Sequence, residues 1–340
     1  MKETAAFIMP VKIRGNETEL RLLREAVDSI RNQTDEDWVL IMVDDFSDDD
    51  AVSAALEEIR TELGDRAELI RLEKNVGAGQ ARNVGIARAA ELGAPFLLFN
   101  DSDDVSDPRR LERVREAFAA DAAANVVYLS FDVIDEYCRT TPYENICLSV
   151  REIIDGHRRD IVEGENAWRQ IAVRKKYTNL TSCTAVRTWL AVKEPFPRRS
   201  VSEDCHTWFR YGAYPGKFVF LRGIKNHYRI CSGVESRSRS NNADFYEQMS
   251  TVDREGFEAA VKLAEGFGTV KPEEVGDIRT AFYVRLALSQ LYGGSEDGAE
   301  KLLRAAIEFS PEVARRAIAE LDCDAAWKDK LRVLIENDGG

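Results

Sequence analysis

Residues 97–104 read Leu-Leu-Phe-Asn-Asp-Ser-Asp-Asp, a short apolar run that stops abruptly at Asp101, Asp103 and Asp104. Apolar runs of this length bounded by polar residues read as buried strands. In open α/β sheets, ligands bind beyond the carboxyl ends of the strands. Three acids within four residues repel one another unless a cation sits between them. Hard divalent ions such as Mg²⁺ or Mn²⁺ are held by one or two such carboxylates plus substrate phosphates. The stretch therefore points to a metal presented to a phosphorylated substrate. The competing reading is a solvated acidic turn ahead of a helix near Pro108, and the motif alone leaves both open.

A second acidic pair, Asp44-Asp45, follows the apolar run Trp38–Val43. Ser47, Asp48, Asp49 and Asp50 stand just before a helical pattern, where hydroxyls and acids favour the N-terminus. Asp44 and Asp45 come too early for capping and are better placed to meet a ligand. Further on lies Asn75-Val76-Gly77-Ala78-Gly79-Gln80-Ala81-Arg82-Asn83. Its glycines permit close backbone approach, and the helix start behind them attracts phosphate. The spacing is neither a Walker A nor a dinucleotide fingerprint. Arg82 on that helix can reach a diphosphate.

The elements that must carry these groups alternate. Ala5–Met9, Trp38–Val43, Leu69–Leu72, Phe96–Asn100 and Val126–Phe131 read as strands. Between them come helical patterns: Leu20, Leu23, Val27 and Ile30 behind an Asn16/Glu19 cap; Val52, Leu56, Ile59 and Leu63; Gln80–Ala90; and Leu111, Val114 and Phe118. This order predicts right-handed crossovers and a mostly parallel sheet covered on both faces, an α/β fold. Both acidic clusters then fall at carboxyl ends of strands in one sheet.

The 340 residues suffice for one large domain plus a smaller one. A hydrophobic content of 44% and a charged content of 31% are globular values. The net charge of −13 argues against nucleic acid as partner. The six cysteines are scattered without a Cys-x-x-Cys pair, which gives no zinc spacing and no disulfide framework. No signal-peptide pattern and no run of transmembrane length is found, so a soluble, cytoplasmic protein is expected.

The order of the motifs resembles that of the family 2 glycosyltransferases, which have the GT-A fold. Ala6-Phe7-Ile8-Met9-Pro10-Val11 is similar to the family's opening strand. Leu40 to Asp49 resembles its nucleotide-binding VDDGSTD stretch. Asn75-x-Gly77 with Ala81-Arg82-Asn83-x-Gly85-Ile86-Ala87 matches the next block, and Phe99 to Asp104 with Pro108 and Leu111 the metal-binding DxD block. Val201 to Arg210 is similar to the family's ED block, and His227-Tyr228-Arg229 to its tyrosine-arginine end. The resemblance covers roughly the first two-thirds of the chain. There are departures: Pro10-Val11-Lys12 replaces a Pro-x-Tyr-Asn opening, Phe46 stands where glycine is usual, and Asn100 where an apolar residue is usual.

The resemblance implies a metal-dependent, inverting transfer of a sugar from a nucleotide diphosphate donor, a UDP-sugar being the family's common choice, to a sugar, small-molecule or peptide acceptor. It implies nucleotide contacts at Pro10, Val11, Asp44, Asp45, Asn75, Gly77, Arg82, Asp101 and Ser102. It implies a Mn²⁺ or Mg²⁺ ion on Asp101 and Asp103, with His227 as a further ligand. Asp204 would be the catalytic base, supported by Glu203. Without the resemblance, Glu203-Asp204 reads as a cap of the helix holding Trp208 and Phe209. The competing functions are a sugar nucleotidylyltransferase, which would need a glycine run where Lys12-Ile13-Arg14-Gly15 stands, and a non-catalytic nucleotide-sugar-binding subunit. Arg237 and Arg239, among Ser236, Ser238 and Ser240, read as a loop that closes over the donor.

From about Asp244 the pattern is helical only, with Phe245, Met249 and Val252 in one helix and Val275, Ile278, Phe282 and Leu286 in another. The expected organisation is a catalytic domain over 1–243, with a nucleotide-sugar half at 1–135 and an acceptor half at 136–243. A separable helical region over 244–340 would serve acceptor recognition, homodimerisation or support of the sheet.

Overall fold

The computed structural model describes residues 3–173, 178–231 and 243–336. The nucleotide half runs β1 (Ala5–Val11), α1 (Glu17–Arg31), β2 (Trp38–Asp44), α2 (Asp50–Leu63), β3 (Ala67–Arg71), α3 (Ala78–Glu91), β4 (Phe96–Phe99), α4 (Arg110–Ala120) and β5 (Ala124–Ile134). The next stretch holds α5 (Leu148–Arg159), β6 (Gly164–Glu165), α6 (Ala167–Val173), β7 (Thr184–Arg187), α7 (Thr188–Lys193), α8 (Glu203–Ala213) and β8 (Lys217–Arg229). Helices α9 (Ala243–Gly266), α10 (Pro272–Tyr292), α11 (Glu296–Phe309), α12 (Pro311–Glu320) and α13 (Ala325–Glu336) complete the described chain.

The strands form one eight-stranded sheet in the order β3-β2-β1-β4-β7-β5-β8-β6. The pairs β1–β2, β1–β4, β2–β3 and β5–β8 are parallel, whereas β7 runs antiparallel between β4 and β5, and β6 antiparallel at the edge. The mostly parallel α/β sheet is the expected one. The short strand β7 is not in the sequence reading, because four residues carry too little periodicity to stand out.

Alternation along the central strands explains two cores. Phe7, Met9, Leu40 and Met42 enter the apolar layer under α1, α2 and α4, while Ile8, Ile41 and Val43 enter the layer under α3. Successive side chains on a strand point to opposite faces, so strands covered on both sides must be apolar throughout. All seven residues of β1 are buried. The Asn16 cap forms, its side chain accepting from the Glu19 amide at 2.9 Å. Asp49 caps α2, accepting from the amides of Ala51 and Val52 at 2.8 and 3.2 Å. No helix among the described residues is long and apolar enough to cross a membrane.

The helical region begins at Ala243, but it does not stand apart from the sheet. Phe257 of α9 and Phe282 of α10 stack with centroids 4.4 Å apart. Phe209 of α8 meets Phe282 edge-on at 5.5 Å, and Trp168 of α6 lies 6.0 Å from Phe257. These rings belong to the same continuous core as Ile8 and Val43. The change from mixed to helical pattern after Ala243 thus coincides with helices that share a core with the sheet. A chain ending before Ala243 would expose Trp168 and Phe209, both fully buried here. Such a truncation is expected to lose native near-ultraviolet dichroism and to elute as aggregate in size-exclusion chromatography, because rings of this size dominate core energetics. A monomeric, folded product would show the helices to be dispensable.

Candidate functional site

The acidic loop after β4 is held from beneath by a buried polar network. Asn100 is fully buried; its amide donates to the carbonyls of Asp101 and Asp104 at 3.0 and 3.1 Å, and its oxygen accepts from Ser106 Oγ at 2.7 Å. The buried Arg110 guanidinium donates to Ser106 Oγ at 3.0 Å and to the Phe99 carbonyl at 2.9 Å. An apolar residue at 100 could make none of these bonds, which accounts for that departure from the family pattern. Asp104 turns inward and accepts the Arg229 amide at 2.7 Å. Burial, then the charges of Asp103 and Asp101, hold its carboxyl well above the usual carboxylate range.

Asp101, Ser102 and Asp103 face outward and line a cavity of about 350 Å³ with Pro10, Val11, Asp45, Asn75, Gly77 and Arg82. Lys12, Ile13, Glu19, Leu22, Ala78 and Cys231 complete its wall. Eight of the nine residues expected to contact a nucleotide thus converge. The exception is Asp44. It is buried, it accepts the Ser47 amide at 2.9 Å, and it is not among the lining residues. Strand alternation turns it into the Asp44–Ser47 turn, which corrects the expectation of a ligand contact there. Lys12, read from the sequence as a departure from the opening pattern, and Cys231, just past the tyrosine-arginine end, were not expected at this wall.

Asp45 has a structural duty inside the cavity. Its two carboxylate oxygens accept the amides of Val76 and Gly77 at 2.7 and 2.9 Å. Gly77 has φ +87°, a conformation L side chains resist, and it opens α3 toward the cavity. Next to Asp45, Phe46 has φ +60°, so the position where the family pattern has glycine is left-handed here too. The Lys12 ammonium donates to the Phe46 carbonyl and lies 5.7 Å from its ring centroid. That contact offsets part of the strain.

Arg82 joins this cavity to the next. Its side chain is 5% exposed; one terminal nitrogen donates to Asp101 at 2.6 Å and the other lies 3.4 Å from Glu203. Burial works against the guanidinium charge, and the carboxylates of Asp101, Glu203 and Asp204 outweigh it, raising its pKa. Glu203 and Asp204 open α8 and line a second cavity of about 300 Å³ with Ser149, Val150, Ile153, Tyr228 and Phe245. The two cavities share Ala78 and Asp101. Asp204 is part-buried and accepts the Cys205 amide at 2.8 Å. Burial and then Glu203 push its carboxyl up to about 7, against the opposing pull of the Cys205 amide and Arg82.

His227 is not brought to Asp101 and Asp103. It lines a separate cavity of about 810 Å³ with Asp107, Asp132 and His157, whereas its neighbour Tyr228 lines the cavity of Asp204. Opposite facing of successive strand residues accounts for the different cavities of His227 and Tyr228. Among the described residues no group of three or more His, Cys, Asp or Glu side chains forms a ready metal cage. Asp101 and Asp103 nevertheless suit a hard divalent ion, which commonly takes one or two carboxylates and leaves its other positions to water and phosphate. Burial and then Asp101 raise the Asp103 carboxyl to about 6, the mark of an anionic pocket short of positive charge. The loop of Arg237 and Arg239 lies outside the described residues.

A family model described as "Glycosyl transferase family 2" matches residues 7–188, more than half of the chain. The chain belongs to that family. An uncharacterized glycosyltransferase of Nostoc sp. is 32% identical over 123 residues, 36% of this chain and 36% of the relative. One from Methanocaldococcus jannaschii is 34% identical over 100 residues, 29% and 32% of the two chains. The matched segments thus span about a third of these curated relatives. Among solved structures, S. aureus TarS 1-349 superposes with a TM-score of 0.62 at 18% identity, covering 98% of this chain and 91% of that one. A mannosyltransferase from Pyrobaculum calidifontis, in complex with GDP-Man and Mn²⁺, does so with a TM-score of 0.55 at 16% identity, covering 100% and 89%. The fold is GT-A.

The Asp45 clamp makes a prediction for stability. Alanine at 45 leaves two amides of the glycine loop unpaired and removes two charge-assisted bonds. The variant should lose roughly 3–6 kcal/mol in urea denaturation, since hydrogen bonds to charged groups contribute about 1.5–3 each. A loss below about 0.5 kcal/mol, the range of an ordinary surface substitution, would mean the clamp is not formed in solution.

Proposed function

We propose that this family 2 member transfers a sugar from a nucleoside diphosphate donor to an acceptor hydroxyl, with inversion at the anomeric carbon and with UDP as the leaving group. The observation that carries the reading is the meeting of two cavities at Ala78 and Asp101, with Arg82 bonded toward both walls. The cavity of Asp45, Gly77 and Asp101 is the donor site: a helix start and a buried cation face it, and both suit a diphosphate. The cavity of Glu203 and Asp204 is the acceptor site. S. aureus TarS has been crystallised with UDP-GlcNAc, and the Pyrobaculum enzyme with GDP-Man, both of them nucleoside diphosphate sugars.

In this reading the acceptor hydroxyl sits against Asp204, and the sugar carbon lies across the junction at Asp101. As the oxygen attacks, its proton passes to the Asp204 carboxylate and the bond from the sugar to the diphosphate breaks on the opposite side. A pKa of about 7 suits this task, since a base near the working pH balances ionisation against proton affinity. Glu203 keeps that pKa high, while Arg82 keeps the pair of acids together. Asp101 and Asp103 would hold the divalent ion, which supplies positive charge to the departing diphosphate. Lys12, bonded to the Phe46 carbonyl, adds a positive charge to the rim of the donor cavity.

Two experiments test the reading. In calorimetry with UDP and Mn²⁺, chelation and Asp103→Asn are each expected to weaken binding by about tenfold or more, because a cation between carboxylates and phosphates is the main link between them. An unchanged Kd in chelator would remove the metal from the mechanism. Asp204→Asn should slow transfer ~10²–10⁴-fold, the usual contribution of a positioned base, and leave the Kd for UDP within about twofold. The wild-type rate should fall tenfold per pH unit below about pH 7, because only the ionised carboxylate accepts the proton and burial has raised its pKa to there. Near-normal turnover in the variant, or retention of configuration in the product, would refute the role.

A further inference from the structure

The turn that presents Glu203 and Asp204 is unusual in its backbone and in what holds it. Ser202, the residue before α8, has φ +57° and ψ 21°, a left-handed conformation that is strained for a non-glycine residue. It does not cap α8 with its side chain. Its hydroxyl donates instead to Asp253 of α9 at 2.5 Å, and Asp253 is fully buried. Two further contacts grip the same segment from the same helix. Glu255 takes a two-pronged ion pair from Arg199, at 2.7 and 3.0 Å. Gly256 lies so close to α8 that a Cβ there would stand 2.6 Å from the His206 Cα. Residues 253 and 256 share one face of α9, being three apart.

We propose that Asp253 is a positioning residue for the general base: through Ser202 it holds the left-handed turn that aims Asp204 into the acceptor cavity. The inference rests on Asp204 being the base. Three other groups face Asp204: Glu203 on its own helix, Arg82 from α3 and the Cys205 amide. Burial, Glu203 and Asp253 raise its pKa, Arg82 and the amide lower it, and Asp253 belongs to the helical region. Helix α9 is therefore a mount for the catalytic turn, and it also supplies Phe245 to the cavity wall.

Two variants separate tether from charge. Asp253→Asn keeps an acceptor for the Ser202 hydroxyl and removes the charge; Ser202→Gly keeps the charge, relieves the left-handed strain and removes the tether. The titration of Asp204 is read from the ¹³Cγ resonance of labelled aspartate, assigned by its disappearance in Asp204→Asn, and needs no acceptor. Turnover is read as UDP or GDP release from UDP-GlcNAc, UDP-glucose and GDP-mannose with water as acceptor. In Asp253→Asn the Asp204 midpoint should drop by about half a unit or more, the scale on which a nearby like charge acts. In Ser202→Gly, kcat should fall about tenfold with KM for the donor and UDP affinity unchanged, as misaim of a reacting group costs rate and not binding. An unmoved midpoint in Asp253→Asn, or wild-type kcat in Ser202→Gly, overturns the proposal. Normal turnover in Asp204→Asn would instead sink the base assignment, while the ¹³C titration still reports whether Asp253 acts on Asp204.

Discussion

Like-charged carboxylates from distant parts of the chain are gathered in one part-buried place, and one guanidinium makes that tolerable. Arg82 reaches Asp101 on the loop after β4 and Glu203 at the start of α8. Removing one partner of such a buried pair typically costs 3–5 kcal/mol, because the remaining charge is left without compensation. Everything that places Arg82 is therefore under constraint. Asn83, beside it, donates to the Phe196 carbonyl at 2.9 Å and accepts the Phe196 amide at 2.8 Å; Gln80 donates to the same carbonyl at 3.0 Å. These bonds tie α3 to the segment leading to Ser202 and Glu203. The register of one helix thereby sets the spacing between the walls of the two cavities.

Around that centre the polar groups fall into two kinds. Asn100, Ser106, Arg110, Asp104 and Arg229 are buried and bond to one another or to the loop backbone, and they hold the acidic loop in shape. Arg229 also donates to the Asp103 carbonyl at 2.7 Å and to Glu25 at 2.8 Å, which ties the loop to β8 and α1. Asp101, Asp103, Glu203 and Asp204 are only part-buried and keep carboxylate surface toward the cavities. A buried, bonded network restricts the loop's conformation, whereas half-solvated acids retain the capacity to bind or to take a proton.

How far this was readable from residues depends on the range of the physics involved. The strands β1 to β5, the caps at Asn16 and Asp49 and the convergence of both acidic clusters rest on local patterns, and all were visible in the chain. Glycine was expected at 46, and the left-handed φ of Phe46 explains why that position is special. The side to which Asp44 and His227 turn was not visible. One residue of strand register decides it, and a motif does not report register.

Taken alone, the sequence determined which elements form, where the carboxylates stand along them and, through motif order, the family. These follow from periodicity, capping and spacing, which act over a few residues. Only the tertiary structure decided that Arg82 spans two cavities, that Asp44 serves a turn, and that α9 packs against α8 through Gly256 and Asp253. The Arg82–Glu203 and Ser202–Asp253 contacts join residues 121 and 51 positions apart. Such contacts arise from shared burial of faces that local pattern leaves unassigned, so they exist only once the core has closed.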